Sequence, residues 1–129
     1  MRLLLDTHIW LWSLNETHRL GIRILQELRS QENELWLSPI STWEALTLHQ
    51  KKRVFLDHDL ERWIALSTAG FREAALTHEI VAAARSLPLP HRDPADRFLA
   101  ATAKVLNLTL VTADANLLGL GEISTLGNR

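Results

Sequence analysis

Two short apolar runs, one near each end of the chain, most constrain what the protein can fold into. Residues 2–5 form a run that ends at Asp6, and residues 108–112 form a run that ends just before Ala113 and Asp114. Short, mainly apolar runs of this length are typical of parallel strands that are buried on both faces. The sequence therefore predicts a parallel sheet with an aspartate following each of two strands.

Helical patterns fill the intervals between the predicted strands. A third apolar run, 34–37, leads into Ser38-Pro39, an N-cap residue followed by proline at the first helical position. This signature predicts a helix over about 39–52, and Asp93-Pro94 repeats it before a helix that runs to about Leu106. Helices are also predicted over 7–14, 19–31, 59–68 and 77–85, with a weak strand over 72–76. Alternating strands and helices favour an α/β fold in which helices cover the sheet.

Composition limits the class of protein further. The chain has 129 residues, and no repeat, linker or change of composition divides it, so we expect 1–129 to be one domain. It has no cysteine, which excludes disulfides and thiolate metal sites and suits a reducing compartment. The apolar stretch at the N-terminus is too short for a signal peptide, and no run approaches the ~20 residues that span a bilayer. We expect a cytoplasmic protein with no membrane segment, and the net charge of −1 gives no general attraction to nucleic acid.

Three acidic residues fall where a ligand site would be expected. Open α/β sheets bind ligands at the carboxyl ends of their strands, where Asp6 and Asp114 are predicted to lie. Each of the two is equally explained as the N-cap of the following helix. Glu44 has Ile40 and Leu48 four residues before and after it, so its carboxylate lies on an apolar stripe and needs a partner if it is buried. The alternative for Glu44 is a position at the edge of the stripe, in reach of water.

Asp93 and Asp96 compete for one role at the start of a predicted helix, where the helix dipole favours an anion. Asp93 directly precedes Pro94, and we interpret it as an N-cap with a structural role. Asp96 shares a helix face with small and apolar residues that indicate close packing: Leu99, Ala100 and Ala103. We therefore expect Asp96 to project towards the strand ends that carry the other acids.

Four carboxylates in one place would repel each other by about 1–4 kcal/mol per pair at ~4 Å. A divalent cation would offset this repulsion, and ligands that are all oxygen favour Mg²⁺ or Mn²⁺ over zinc. Such a site suits hydrolysis of a phosphodiester bond. We expect Asp6 and Asp96 to be direct ligands, with Glu44 and Asp114 binding the metal directly or through water.

Four segments, in this order, resemble the PIN-domain family, and most closely its VapC-like toxins of bacterial toxin–antitoxin pairs: Leu-Leu-Leu-Asp6-Thr-His-Ile-Trp-Leu-Trp, Ser41-Thr-Trp-Glu44, Asp93-Pro-Ala-Asp96-Arg-Phe-Leu-Ala-Ala and Leu110-Val-Thr-Ala-Asp114. The resemblance covers essentially the whole chain. It implies a three-layer α/β/α fold with a central parallel sheet, Mg²⁺- or Mn²⁺-dependent endoribonuclease activity on RNA, a homodimer, and inhibition by a cognate antitoxin. It also implies that the acidic set is Asp6, Glu44, Asp96 and Asp114, and that Thr112 is a hydroxyl close to the site.

Several other residues were considered for contacts with a substrate. His91, Arg92 and Arg97 lie beside Asp93 and Asp96, and arginine suits bidentate contacts with phosphate. An alternative for Arg97 is that it pairs with a local acid and orients it. The remaining candidates have a structural interpretation that we favour: a solvated helix end for Lys51-Lys52-Arg53, a structural role for His8, and packing in the core or an interface for Trp10, Trp12 and Trp43.

Three other functions compete with a metal-dependent ribonuclease. An aspartyl-phosphate phosphatase or receiver domain also places acids at strand ends, but no aspartate follows two residues after Asp6 and no lysine follows a late strand. A DNA nuclease related to flap-processing enzymes would be larger than this chain. A catalytically inactive PIN-like module that binds RNA or a protein would not need the intact acidic set.

Overall fold

Five parallel strands form one sheet in a computed structural model of the protein, which describes residues 1–57, 59–89 and 93–129. The strand order is β3-β2-β1-β4-β5, with all four neighbouring pairs parallel. Crossovers between parallel strands require long connections, and helices supply them here. The strands are β1 (Arg2–Leu5), β2 (Glu34–Leu37), β3 (Arg72–Glu73), β4 (Thr109–Thr112) and β5 (Ser124–Gly127).

Seven α-helices and one short 3₁₀ helix connect the strands within the described residues. Six of the α-helices begin with a side chain that accepts a hydrogen bond from the first turn, as the cap signatures in the sequence predicted for the helices that start at Pro39 and Pro94. The helices are α1 (Thr7–Asn15), α2 (Ile22–Arg29), α3 (Pro39–Gln50), α4 (Leu60–Thr68), α5 (His78–Arg85), α6 (Pro94–Leu106) and α7 (Ala115–Leu118), and the 3₁₀ helix is Thr17–Arg19.

Side chains alternate between the two faces of the sheet, and each face has its own apolar core. Leu4 and Leu110 point to the face covered by α5 and α6, where they pack with residues such as Leu99. Leu3 and Leu5 point to the opposite face, which is covered by α1, α2 and α4. The predicted three-layer α/β/α fold with a central parallel sheet is confirmed.

Strand register brings the ends of β1 and β4 together at one edge of the sheet. Leu5 pairs with Val111, and the Asp6 backbone N–H donates to the Val111 carbonyl over 2.9 Å. Thr112, the last residue of β4, therefore lies beside Asp6. This edge holds the candidate site.

The structure differs from the predicted elements at three places. The predicted helix over 19–31 is interrupted at Gly21, whose backbone N–H donates to Asn128 Oδ1 over 2.9 Å. A Cβ at Gly21 would lie 1.7 Å from the carbonyl carbon of Arg129, so the C-terminal segment occupies the space that a side chain would need. The weak strand over 72–76 is reduced to Arg72–Glu73, and neither β5 nor α7 was predicted. No helix among the described residues is both long and apolar enough to cross a membrane.

Candidate active site

Asp6 is held at the end of β1 through both of its carboxylate oxygens. Its Oδ1 accepts from the backbone N–H of Thr7 over 2.8 Å, which caps α1. Its Oδ2 accepts from the Thr112 hydroxyl over 2.6 Å. Only 9% of Asp6 is exposed, and this burial raises its pKa although the two hydrogen bonds and the charge of His8 oppose the effect. The two hydrogen bonds thus orient the Asp6 carboxylate, while burial makes its charged form energetically unfavourable.

Thr112 joins Asp6 to the turn that carries Asp114. Its hydroxyl is fully buried and accepts from the Asp114 backbone N–H over 3.0 Å while it donates to Asp6. The Asp114 carboxylate accepts from the Asn116 N–H over 2.8 Å and so caps α7. One buried hydroxyl therefore fixes the relative position of two of the four predicted acids.

Glu44 reaches the same edge from α3, where the Thr7 hydroxyl contacts it and the Ser41 hydroxyl contacts Thr7 in turn; the sequence patterns predicted neither hydroxyl as part of the site. Thr7 Oγ1 contacts Glu44 Oε1 and lies 2.9 Å from Ser41 Oγ. A hydroxyl has one proton, and a charged carboxylate is the stronger acceptor, so Thr7 donates to Glu44 and the Ser41 proton serves the contact between the two hydroxyls. Burial is the largest cause of the raised pKa of Glu44, and the charge of Asp6 adds to it.

Asp96 lies in the first turn of α6 and is the acid whose titration is most perturbed. Burial, followed by the negative charges of Asp6, Asp93, Asp114 and Glu44, raises the pKa of Asp96 from 3.8 to about 7. Acids from four separate segments therefore share one electrostatic environment, as the sequence predicted for Asp6, Glu44, Asp96 and Asp114.

Asp93 is the N-cap of α6, as predicted, because its Oδ1 accepts from the Ala95 N–H over 3.0 Å. Its charge nevertheless acts on the site, since it raises the pKa of both Glu44 and Asp96. The position of Asp93 before proline predicts its structural role as a cap but does not predict this effect of its charge.

The donor chemistry of the site fits a hard divalent cation. All four predicted acids offer oxygen, the ligand that Mg²⁺ and Mn²⁺ prefer. Among the described residues, however, no three acidic or histidine side chains converge closely enough to hold one ion by themselves. This arrangement suits the mode in which Mg²⁺ keeps several waters and binds one or two carboxylates directly. The assignment of individual ligands stays a prediction.

Arg97 has a contact pattern that neither of its predicted roles anticipated. Its guanidinium donates to the carbonyls of Ala84, Leu87 and Leu89 over 3.1, 3.0 and 3.2 Å. Arg97 thus fixes the segment that follows α5, and its contact with phosphate stays a prediction. The two other predicted substrate contacts, His91 and Arg92, lie outside the described residues.

The tryptophans of the first and third helices divide between core and surface. Trp10 is fully buried and donates from Nε1 to the Ser67 carbonyl over 3.1 Å, which confirms its predicted packing role. Trp12 is partly buried, and its ring lies 5.9 Å from that of His8, which is exposed beside the acids. Trp43 directly precedes Glu44 and is 66% exposed, so the core does not account for it.

Comparison of the sequence with known proteins identifies a family and a relative. The model of the PIN domain family matches residues 3–122. Ribonuclease VapC22 of Mycobacterium tuberculosis is 32% identical over 115 residues, which cover 88% of each chain.

Two solved structures share the fold. VapBC2 from Rickettsia felis, bound to a DNA fragment from its promoter, matches with a TM-score of 0.73 and 16% identity over 98% of both chains. DNA-bound VapBC from Salmonella typhimurium matches with a TM-score of 0.72 and 16% identity, over 100% of this chain and 99% of the other. The fold, the family match and the 32% identical relative lead to one conclusion: the chain belongs to the PIN-domain family.

Proposed function

We propose that the chain is a Mg²⁺- or Mn²⁺-dependent endoribonuclease that hydrolyses phosphodiester bonds in RNA, and that it is the toxin of a toxin–antitoxin pair. The observation that carries the proposal is the shared field of the acids, which raises the pKa of Asp96 to about 7. A protein gains nothing in stability from carboxylates that repel each other, so their clustering at one place supports a role in binding a cation. The 32% identical relative is a ribonuclease by name, which supports RNA as the substrate.

Asp6 and Asp96 would hold the cation directly, and Glu44 and Asp114 would bind it directly or through water. When bound, the cation would supply charge stabilisation at a phosphate oxygen and would lower the pKa of an attacking water. The remaining contribution to catalysis comes from the positions in which the chain holds its own side chains.

The hydroxyls of Thr112 and Thr7 set the orientation of two carboxylates before any ligand arrives. A carboxylate has about four acceptor sites, and Asp6 uses one on each oxygen for its bonds to Thr112 and the Thr7 N–H. Each oxygen of Asp6 therefore keeps capacity for a further partner. Because these hydrogen bonds are already formed in the folded protein, the two carboxylates need little reorganisation when a substrate binds.

We also propose a cognate antitoxin and a second copy of the chain as partners. Structures with this fold include a toxin–antitoxin complex from Klebsiella pneumoniae, matched with a TM-score of 0.68 and 19% identity, and the two VapBC complexes described above. Co-expression with the product of an adjacent small reading frame, followed by co-purification, would test the antitoxin. Sedimentation analysis of the purified chain would test the homodimer.

Cleavage of a labelled single-stranded RNA by the purified chain, with Mg²⁺ or Mn²⁺ and with EDTA, tests the enzymatic proposal. We expect cleavage that requires the cation and that Asp6→Asn abolishes while circular dichroism stays unchanged. Asp59→Asn is the matched control, because Asp59 is also an N-cap aspartate, at the start of α4. Wild-type protein that binds neither cation in calorimetry would favour the inactive-module interpretation and refute the proposal.

A further inference from the structure

A groove of about 290 Å³ opens beside the acids, and we call it the α3 groove. One face of α3 forms its floor from Ile40 to Lys51, and His8 together with Asp93 to Ala95 forms its walls. Glu44 belongs both to this floor and to the candidate active site. The groove is therefore continuous with the place where the reaction is proposed to occur.

Its length suits a short stretch of an extended polymer. Lys51 caps the C-terminus of α3 seven residues after Glu44, which corresponds to about 10 Å along a helix that rises 1.5 Å per residue. The acidic end of the groove lies at Glu44 and Asp93, and the basic end lies at Lys51. A ligand that fills the groove must meet both kinds of charge.

Trp43 contributes a large aromatic ring to the groove. It is 66% exposed, whereas Trp10 is fully buried and Trp63 is 9% exposed. The indole ring of Trp43 is therefore not part of the core and is open to contact with a ligand in the groove. Exposed aromatic rings that adjoin a charged groove are the usual platform for unpaired bases.

Lys51, which lines the basic end of the groove, is followed in the chain by two further cations, Lys52 and Arg53, and all three are exposed. Two hydrogen bonds close the end of α3 there: Lys52 N–H donates to the His49 carbonyl over 3.0 Å, and Arg53 N–H donates to the Leu48 carbonyl over 2.9 Å. Lys52 adopts the left-handed conformation, with φ of 59°. Within the described part of the chain, none of the three cations forms an ion pair.

We propose that the α3 groove binds a single-stranded segment of the RNA substrate next to the bond that is cleaved, with a base stacked on Trp43 and phosphates at Lys51 to Arg53. This inference rests on the proposed function, because it extends the same site. Glu44, Lys51 and Asp93 line the groove, and charged residues of this kind are depleted from the cores of protein interfaces. Lys51 at one end of the groove and the exposed indole of Trp43 complement the phosphates and bases of an RNA segment better than they complement an apolar helix of a protein partner.

Binding in EDTA tests the groove without cleavage. We would measure fluorescence anisotropy of a short labelled single-stranded oligoribonucleotide with the full chain. Trp43→Ala should weaken binding roughly 5- to 150-fold, the range expected when one base–aromatic stack is lost, and Trp43→Phe should recover part of the loss. Leu66→Ala is the control, because Leu66 is 65% exposed on α4 and does not line the groove.

The salt dependence of binding tests the basic end. For single strands, each phosphate that a protein neutralises contributes about 0.7 to the slope of log K against log salt. Lys51→Gln should therefore lower the slope by about 0.7, while Trp43→Ala should leave it unchanged.

The outcomes separate this inference from the proposed function. If wild-type protein cleaves RNA with Mn²⁺ and Trp43→Ala has the same Kd and KM as wild type, the groove does not bind substrate and the proposed function stands. If wild type binds RNA through Trp43 in EDTA but never cleaves it, the inference stands and the proposed function fails. A change of oligomeric state in Trp43→Ala with normal RNA binding would make the groove a protein interface and overturn the inference.

Discussion

Replacing Asp96 by asparagine should make the metal-free protein more stable while it removes activity. Burial and four neighbouring negative charges raise the pKa of this carboxyl from 3.8 to about 7. At 1.36 kcal/mol per pH unit, the difference sets an upper limit of roughly 4 kcal/mol on the cost of the charged form. Asp96 is only partly buried, and solvent screening reduces the cost to about 1–2 kcal/mol.

The difference in stability between Asp96→Asn and wild type depends on pH. Because the folded protein favours the neutral acid, wild type loses free energy of unfolding as pH rises from about 4 to about 7, and the loss persists above pH 7. Asparagine carries no charge at any pH. The variant should therefore match wild type near pH 4 and exceed it by about 1–2 kcal/mol at pH 8.

Urea unfolding in EDTA across this pH range measures the difference directly. Glu32→Gln is a suitable control because Glu32 is exposed in the turn before β2, at the opposite end of the sheet from the site, and it should change stability by less than about 0.5 kcal/mol. A difference between Asp96→Asn and wild type that is absent at pH 8, or constant with pH, would refute the electrostatic reasoning.

Addition of Mn²⁺ should reverse the order of stability. A ligand that binds only the folded state stabilises it by about 2.7 kcal/mol when present at a hundredfold excess over its Kd. Wild type should gain this stabilisation and Asp96→Asn should gain less, because one proposed ligand is lost. Equal stabilisation of both proteins by Mn²⁺ would exclude Asp96 as a direct ligand.

Three further substitutions test the supporting structure. Thr112→Val removes the hydroxyl that donates to Asp6 Oδ2, so urea unfolding should show a loss of about 1–3 kcal/mol; an unchanged midpoint would contradict the assigned bond. Thr7→Val should weaken Mn²⁺ binding in calorimetry by releasing Glu44, and Thr7→Ser should restore it; equal affinities would show that the hydroxyl does not position the acid. Lys52→Gly removes the strain of a left-handed backbone at a residue with a side chain and should raise the free energy of unfolding by about 0.5 kcal/mol in thermal unfolding. A lower free energy of unfolding would show that the Lys52 side chain stabilises the fold.

Local sequence signals predicted the interior of the fold well. The strands over 2–5 and 34–37 were predicted to the residue, because each is a short run of large apolar residues that follows a single charged residue. The helix starts at Pro39 and Pro94 were also predicted, because a cap residue followed by proline is itself a local structure.

The elements that the sequence did not predict depend on distant contacts. β5 is a short edge strand in which Leu126 alone is buried, and its pairing with β4 defines it. The interruption of the predicted helix over 19–31 has a similar origin. Gly21 lies against Arg129, more than a hundred residues away, and a helical periodicity contains no information about that contact.

The site shows the same division between local and distant information. Asp6 and Asp114 were predicted as candidate site residues because each follows a strand, and N-capping was the alternative for each. The structure makes both residues N-caps and also leaves them at the strand ends, so the two interpretations are compatible. Thr7 and Ser41 were missed because a single hydroxyl gives no sequence pattern, and the two are 34 residues apart. The clue was position: Thr7 directly follows the first acid, and Ser41 begins the segment that contains Glu44.

Helix capping and the proposed binding of a cation impose opposite requirements on the same acids. Hydrogen bonds from backbone N–H groups and hydroxyls orient Asp6 and Glu44 and lower their pKa values, and the charge of His8 acts in the same direction. Both pKa values nevertheless remain raised, so these contacts do not compensate for burial. Arg97, the nearby arginine whose contacts are described, spends its guanidinium on backbone carbonyls. The described contacts of Asp6 and Glu44 thus fix the geometry of these two carboxylates without offsetting the cost of their charge, and the responses of Asp96→Asn to EDTA and to Mn²⁺ test whether a bound cation lowers that cost.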